Sequence, residues 1–325
     1  MNHKNKSIII WLSACILLIF AIIIVGGYTR LTHSGLSIVE WKPITGIIPP
    51  ITDGNWQNEF DQYQQSPEYQ KINYGMNLLE FKQIFIVEYI HRILGRLIGI
   101  VFLLPFLYFA FTKRLNKSEI CYFTMVAGLI GLQGLIGWLM VKSGLIDNPN
   151  VSQYRLALHL IMACIILSLL VWKIMPGDAT KSKYAYFSCA LLFLQIASGA
   201  LVAGLHAGLV YNSFPLMDGE LIPTGILNLQ PWYLNVFENI AMVQFTHRIL
   251  AIVNVMNILA YCYKIFNLKG LKKISIYLSS FVIIQLLLGI LTLIFQVPLF
   301  LALLHQAMAI ILLITLVASL KRLKE

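Results

Sequence analysis

The chain has 325 residues, of which 58% are hydrophobic and 12% charged, and its mean hydropathy is +0.77. That is too apolar for a soluble domain that must cover itself with a solvated surface, so the bilayer is the solvent to assume. The net charge of +10 is spread over short loops instead of forming one patch, which argues for a topology signal and against a nucleic-acid partner.

A hydrocarbon core about 30 Å thick takes about 20 apolar residues of helix, with backbone groups bonded inside the segment. Eight runs meet that requirement, at 8–27, 84–111, 118–141, 156–173, 184–205, 241–263, 274–295 and 300–319. The first follows Lys4 and Lys6 and ends in Val25-Gly26-Gly27-Tyr28-Thr29-Arg30 with no small-x-small cleavage pattern, so it reads as an uncleaved anchor. After it comes a long polar loop, 28–83, with Trp41, Pro43, Pro49, Pro50 and Trp56. The second run carries Glu88, His91, Arg92 and Arg96, the third Gln133 and the fourth His159. The sixth carries Gln244, His247 and Arg248, the seventh Gln285 and the eighth His305.

Lysine and arginine gather at the N-terminus, in 112–117 (Lys113, Arg114, Lys117), in 173–183 (Lys173, Lys181, Lys183), in 264–273 (Lys264, Lys269, Lys272, Lys273) and in the tail (Lys321, Arg322, Lys324). These segments share one side, which the positive-inside bias makes cytoplasmic together with both termini. The loops 28–83, 142–155 and 206–240 lie opposite. Cys15, Cys121, Cys164, Cys189 and Cys262 fall in or at the ends of runs, none in an outer loop, which offers neither a disulfide framework nor a CxxC site and suits small packing residues.

The chain repeats itself. His91-Arg92-Ile93-Leu94-Gly95 matches His247-Arg248-Ile249-Leu250-Ala251, and Gly26–Leu36 matches Gly199–Leu209, pairing His33 with His206. Gln133 and His159 correspond to Gln285 and His305. The expected architecture is therefore an all-α integral membrane protein of two tandem four-helix halves, 1–183 and 184–325. Because each half has an even number of spans, a pseudo-twofold axis along the membrane normal should relate them.

His91, His159, His247 and His305 stand near the outer ends of the even-numbered runs. Ionisable groups inside spans are rare and costly, and four at similar depth, duplicated by the repeat, point to ligation. Residue i+4, on the same helical face, is small each time: Gly95, Ala163, Ala251 and Ala309. With apolar surroundings and no nearby carboxylate or thiolate set, haem iron suits these imidazoles better than zinc or copper. The simplest pairing is one site per half, His91 with His159 and His247 with His305. Arg92 and Arg248 either meet haem propionates or snorkel to the interface. His33 and His206 either assist propionates or are solvated. Glu88, one turn before His91, corresponds to Gln244, so one site has a carboxyl group and the other a neutral amide. Glu88 handles a proton in chemistry on the macrocycle, or else pairs with Arg92 at i+4.

The motifs GGYTRLTHSGLSIVEWKP, EYIHRILGR, LALHL, QFTHRILA and LLHQA together resemble the haem A synthase family over essentially the whole chain. That resemblance implies oxidation of the C8 methyl group of haem O to a formyl group, giving haem A for terminal oxidases. It also implies a haem b cofactor held by His247 and His305, with Arg248 beside it, and substrate haem O held by His91 and His159, with Arg92 beside it. Glu88 matches the family's glutamate and becomes the expected catalytic group. The first outer loop has no cysteine pair, so the chain is similar to the subgroup that includes the mitochondrial enzymes. The implied setting is a bacterial inner membrane with haem sites near the periplasmic face. The implied partners are membrane lipid, a haem O synthase (protohaem farnesyltransferase) and terminal oxidase assembly factors, and a homo-oligomer is compatible with the sequence. The competing readings are a di-haem b-type electron carrier and a haem transporter.

Overall fold

The computed structural model describes residues 3–41, 45–146, 149–177 and 182–323. Pro43, Lys181 and Lys324 lie outside them, as does the side chain of Lys4. Among the described residues the secondary structure is helical, and eight helices are long and apolar enough to cross a membrane. Contacts divide the chain into two compact units, Met1–Arg155 and Leu156–Glu325. The fourth span thus packs with the second unit. A packing boundary and a repeat boundary need not coincide.

The first unit contains α1 (His3–Leu31), α2 (Asp53–Gln64), α3 (Pro67–Lys71), α4 (Leu78–Phe111) and α5 (Lys117–Gly144). α4 packs along both α1 and α5. The Trp11 indole N–H reaches the Val101 carbonyl at 2.9 Å, inside an aromatic group with Phe102, Phe109 and Phe123. α4 begins at Leu78, six residues before the expected 84. Asn77 and Glu80 form a capping box there, and such a box extends a helix beyond its apolar run.

The 28–83 segment is structured where a loop was expected. Thr52 caps α2 and Ser66 caps α3, each accepting from a backbone N–H three residues on. These short helices cover the N-terminal end of α4 with an aromatic core of Phe60, Tyr63, Phe81 and Phe85. Trp56 packs edge-on against Phe85, and Trp41 contacts Trp138 of α5 with ring centroids 5.9 Å apart.

The second unit contains most of α6 (Gln153–Ile174), then α7 (Lys183–Gly204), α8 (Asn235–Glu238), α9 (Ile240–Ile265), α10 (Lys272–Ile294) and α11 (Leu299–Arg322). α7, α9, α10 and α11 pack in a closed ring. Hydrogen bonds cross it at Asn254 to the Leu191 carbonyl (3.3 Å), Tyr261 to Ser319 (2.9 Å) and Ser275 to the Cys262 carbonyl (2.9 Å). Cys15, Cys164 and Cys262 are buried, in keeping with a packing role, whereas Cys189 is half-buried and Cys121 exposed; all five are free.

Candidate functional site

In the first unit α4 presents Glu88, His91 and Arg92 in its N-terminal half. His91 is half-buried, and its ring lies against Gly26 of α1, where an added Cβ would stand 3.0 Å from Cε1. A side chain at Gly26 would press on the ring, so the glycine gives the imidazole room. Glu88 is only 3% exposed. Its Oε2 accepts from the Ser37 hydroxyl at 2.7 Å and the Ile38 N–H at 2.9 Å, while its Oε1 accepts from Arg92 Nε at 3.1 Å and Nη2 at 2.8 Å. The i+4 pairing with Arg92 is therefore present, and Glu88 also anchors the chain leaving α1. Arg92 donates onward to the carbonyls of Ile38 at 2.8 Å and Glu40 at 3.3 Å. It also lines, with Arg96, Tyr89 and Phe85, a cavity of about 370 Å³.

In the second unit α9 presents Gln244, His247 and Arg248 in the same order. His247 lies against Gly199 of α7, with the added Cβ at 3.1 Å from Cε1. The loop bonds repeat too. Arg248 donates to the carbonyls of Tyr211 and Ser213, both at 2.9 Å, and these positions correspond to Ile38 and Glu40 in the register that pairs Gly26 with Gly199. At the carboxylate position the bonding reverses. Gln244 donates to the carbonyls of Ala207 and Tyr211, each at 3.1 Å, where Glu88 accepts. Val210 stands where the first unit has Ser37.

His305 of α11 lies against Gly289 of α10, with the added Cβ at 2.8 Å from Cε1, and its Nε2 is 3.4 Å from Gln285 Nε2. His247 Nδ1 is 2.8 Å from the Ser198 hydroxyl and 3.1 Å from Gln195 Nε2. Among the described residues no three His, Cys, Asp or Glu side chains converge on a metal-sized site. Imidazoles among apolar side chains are chemically suited to ligating haem iron. His159 is half-buried in α6 and falls in the second unit, whereas His91 falls in the first.

Several neighbours escaped the sequence reading. Gly26, Gly199 and Gly289 on adjacent helices make room for the imidazole rings, whereas an added Cβ at Gly95 would meet only Ile22, at 3.7 Å. Gly26 and Gly199 were visible as repeat partners, and Gly137 occupies the position corresponding to Gly289. His33 and His206 both adopt left-handed backbone, with φ of 50° and 52°, just after α1 and α7. His33 is exposed and His206 half-buried. Although much of the His33 surface is exposed, partial burial of the ring, then the charge of Arg30, lowers its pKa.

A second carboxyl group sits under the α2–α3 cover. Glu68, 3% exposed, accepts from the Tyr63 hydroxyl at 3.1 Å, which in turn accepts from Asn73 Nδ2 at 2.8 Å. Burial pushes Glu68 up to about 7, with the charge of Glu88 adding to the rise and the Tyr63 hydrogen bond opposing it.

A family model described as cytochrome oxidase assembly protein matches residues 9–317. A relative named haem A synthase from Nitrosomonas eutropha is 46% identical, covering 96% of this chain and 92% of its own length. Relatives of the same name from Wolbachia pipientis subsp. Culex pipiens and from Rickettsia bellii are each 44% identical, covering 95% of this chain and 95% and 96% of their own lengths.

Proposed function

Since the chain belongs to the cytochrome oxidase assembly protein family, we propose that it is a membrane enzyme of haem A biosynthesis that oxidises the C8 methyl group of haem O to the formyl group of haem A. The observation that carries this reading is the Glu88–Gln244 reversal within an otherwise repeated scaffold. The glycine notch, the histidine and the arginine strap to the outer loop recur in both units. The proton-accepting group does not. Two equivalent electron-transfer centres need no such difference, whereas turning a methyl into a formyl group releases protons at one site only.

In this reading His91 and His159 hold the substrate haem, and His247 and His305 hold haem b. When bound, haem b supplies a one-electron relay for electrons withdrawn from the substrate. Glu88 receives protons released at the substrate substituent, while Arg92 balances its charge and keeps it aimed by joining it to the Ile38 and Glu40 carbonyls. Arg92 and Arg96, on the wall of the cavity, face the part of the site suited to propionates. Arg248 serves the corresponding place beside the cofactor.

The halves 1–183 and 184–325 are the repeating units. Both termini face the cytoplasm of a bacterial inner membrane, and the histidines lie towards the periplasm. The substrate comes from a protohaem farnesyltransferase, and the product goes to terminal oxidase assembly. The test is expression in a host that makes haem O but has no haem A synthase of its own. Haem A should appear in extracted membranes, and well-expressed protein that leaves only haem B and haem O would overturn the reading.

A further inference from the structure

Under the α2–α3 cover, Phe60, Phe81 and Phe85 fill the interior without a polar atom, yet Tyr63 stands among them with no exposed surface. Its hydroxyl donates to Glu68 Oε2 at 3.1 Å and accepts from Asn73 Nδ2 at 2.8 Å, so the phenol proton already points at a buried carboxyl group. Burial holds Glu68 near 7, which leaves much of it as carboxylate at neutral pH. Rings lead outward from that phenol: Tyr63 to Tyr69, with centroids 5.8 Å apart, and Tyr69 to Tyr74, 6.0 Å apart. Tyr74 is 84% exposed. Rings also lead inward. Tyr63 stacks on Phe81 at 5.1 Å, Phe81 meets Phe85 at 5.7 Å, and Phe85 stacks on Tyr89 at 6.4 Å. Phe81, Phe85 and Tyr89 recur every fourth residue along one face of α4, and Tyr89 lines the same cavity as Arg92 and Arg96.

We propose that Tyr63, Tyr69 and Tyr74 form a discharge path that carries stray oxidising equivalents from a haem held by α4 to the surface, with Glu68 as the base for Tyr63. This rests on the reading that α4 holds a haem. The oxidising equivalent arises when peroxide oxidises that haem. Tyr63 supplies one electron to it, and because an oxidised phenol is a strong acid, its O–H bond breaks and the proton passes along the existing hydrogen bond to Glu68. Tyr69 then returns an electron to Tyr63, which recovers its proton from Glu68. Tyr69, half-buried, exchanges its own proton with water and is refilled in turn by Tyr74. The radical left on Tyr74, whose proton also goes to water, is reduced by a one-electron donor in solution such as ascorbate. In sum the donor gives one electron and the haem site loses one oxidising equivalent. Phenylalanine cannot serve at position 63, since its ring is far harder to oxidise and has no proton to give.

The experiment treats the purified full chain, produced with haem O, with hydrogen peroxide and a nitroso spin trap. Mass spectrometry maps the adducts, and loss of the Soret band follows haem bleaching. In wild type the adduct should fall on Tyr74, and ascorbate should suppress it. Tyr63→Phe, which keeps the ring and its packing, should lose the Tyr74 adduct and bleach its haem several-fold faster. Glu68→Gln, which keeps an acceptor for the Tyr63 hydroxyl but cannot take its proton, should change both readouts in the same direction. Tyr74→Phe should move the adduct back to Tyr69 or Tyr63. Equal Tyr74 labelling and equal bleaching in wild type and Tyr63→Phe, or equal labelling of protein without haem, overturn the path. His91→Ala run alongside separates the two levels: if it keeps the full haem spectrum of wild type, the underlying reading has failed and the path with it, whereas haem-loaded wild type whose labelling ignores Tyr63 fails the path alone.

Discussion

Replacing Glu88 by Gln tests the proton-handling role, and the geometry sets the size of the side effect. Glu88 accepts four hydrogen bonds, two on each oxygen, and an amide has only one oxygen. If that oxygen keeps Arg92, the new NH2 group faces Ser37 and the Ile38 N–H. Ser37 can rotate to accept, but the Ile38 N–H cannot, and an unpaired buried donor costs about 1–3 kcal/mol. Conversion should fall much further, by about 10²–10⁴-fold, equivalent to about 3–5 kcal/mol in the barrier. The repeat supplies the control. Adding Ser37→Val rebuilds the set that Gln244 and Val210 form in the other unit, where the amide donates to the Ala207 and Tyr211 carbonyls. The double variant should regain thermal stability in detergent and protection of the 36–40 amides from exchange, but not activity. Haem O to haem A conversion, followed by extraction and chromatography, reads the rate. Wild-type conversion in Glu88→Gln, or its recovery in the double variant, would refute the reasoning.

Glu68, held near 7 against an ordinary 4.5, binds its proton more tightly folded than unfolded. Its stabilising contribution is complete below pH 4.5 and is lost as pH rises towards 7, by about 3 kcal/mol. Thermal unfolding across that range should show the decline in wild type and flatten in Glu68→Gln; identical profiles would remove Glu68 as its source. Gly199→Val places a side chain 3.1 Å or less from His247 Cε1 and should shift the ring and lower haem b content on purification, whereas Gly128→Val, with open space around it, should not. A reporter fused at the C-terminus should read cytoplasmic and one inserted in 206–240 periplasmic, and the reverse pair would invert the orientation.

The spans were legible because lipid leaves the chain one local solution, a long apolar helix, and composition alone marks it. The four histidines stood out for the same reason: imidazole is out of place in such a run. The repeat made Glu88 against Gln244 visible. What holds Glu88 was hidden, because Ser37 and Ile38 lie some fifty positions away and only the chain's return over α4 brings them there. The glycine notches were hidden likewise, since helix periodicity shows a residue's own face but not the neighbour that packs on it. The α2–α3 cover went unread because its helices are short and polar overall, and their caps, Thr52 and Ser66, stand among many other polar residues.

The central claim is that one haem is resident and the other is substrate. Haem identity and stoichiometry in purified protein, produced with and without haem O synthase, test it most directly. Without haem O the account predicts a single haem B per chain, lost in His247→Ala and His305→Ala and kept in His91→Ala and His159→Ala. With haem O it predicts haem O or haem A in addition. Two haem B per chain, unchanged by haem O supply and equally sensitive to all four substitutions, would instead identify a di-haem electron carrier.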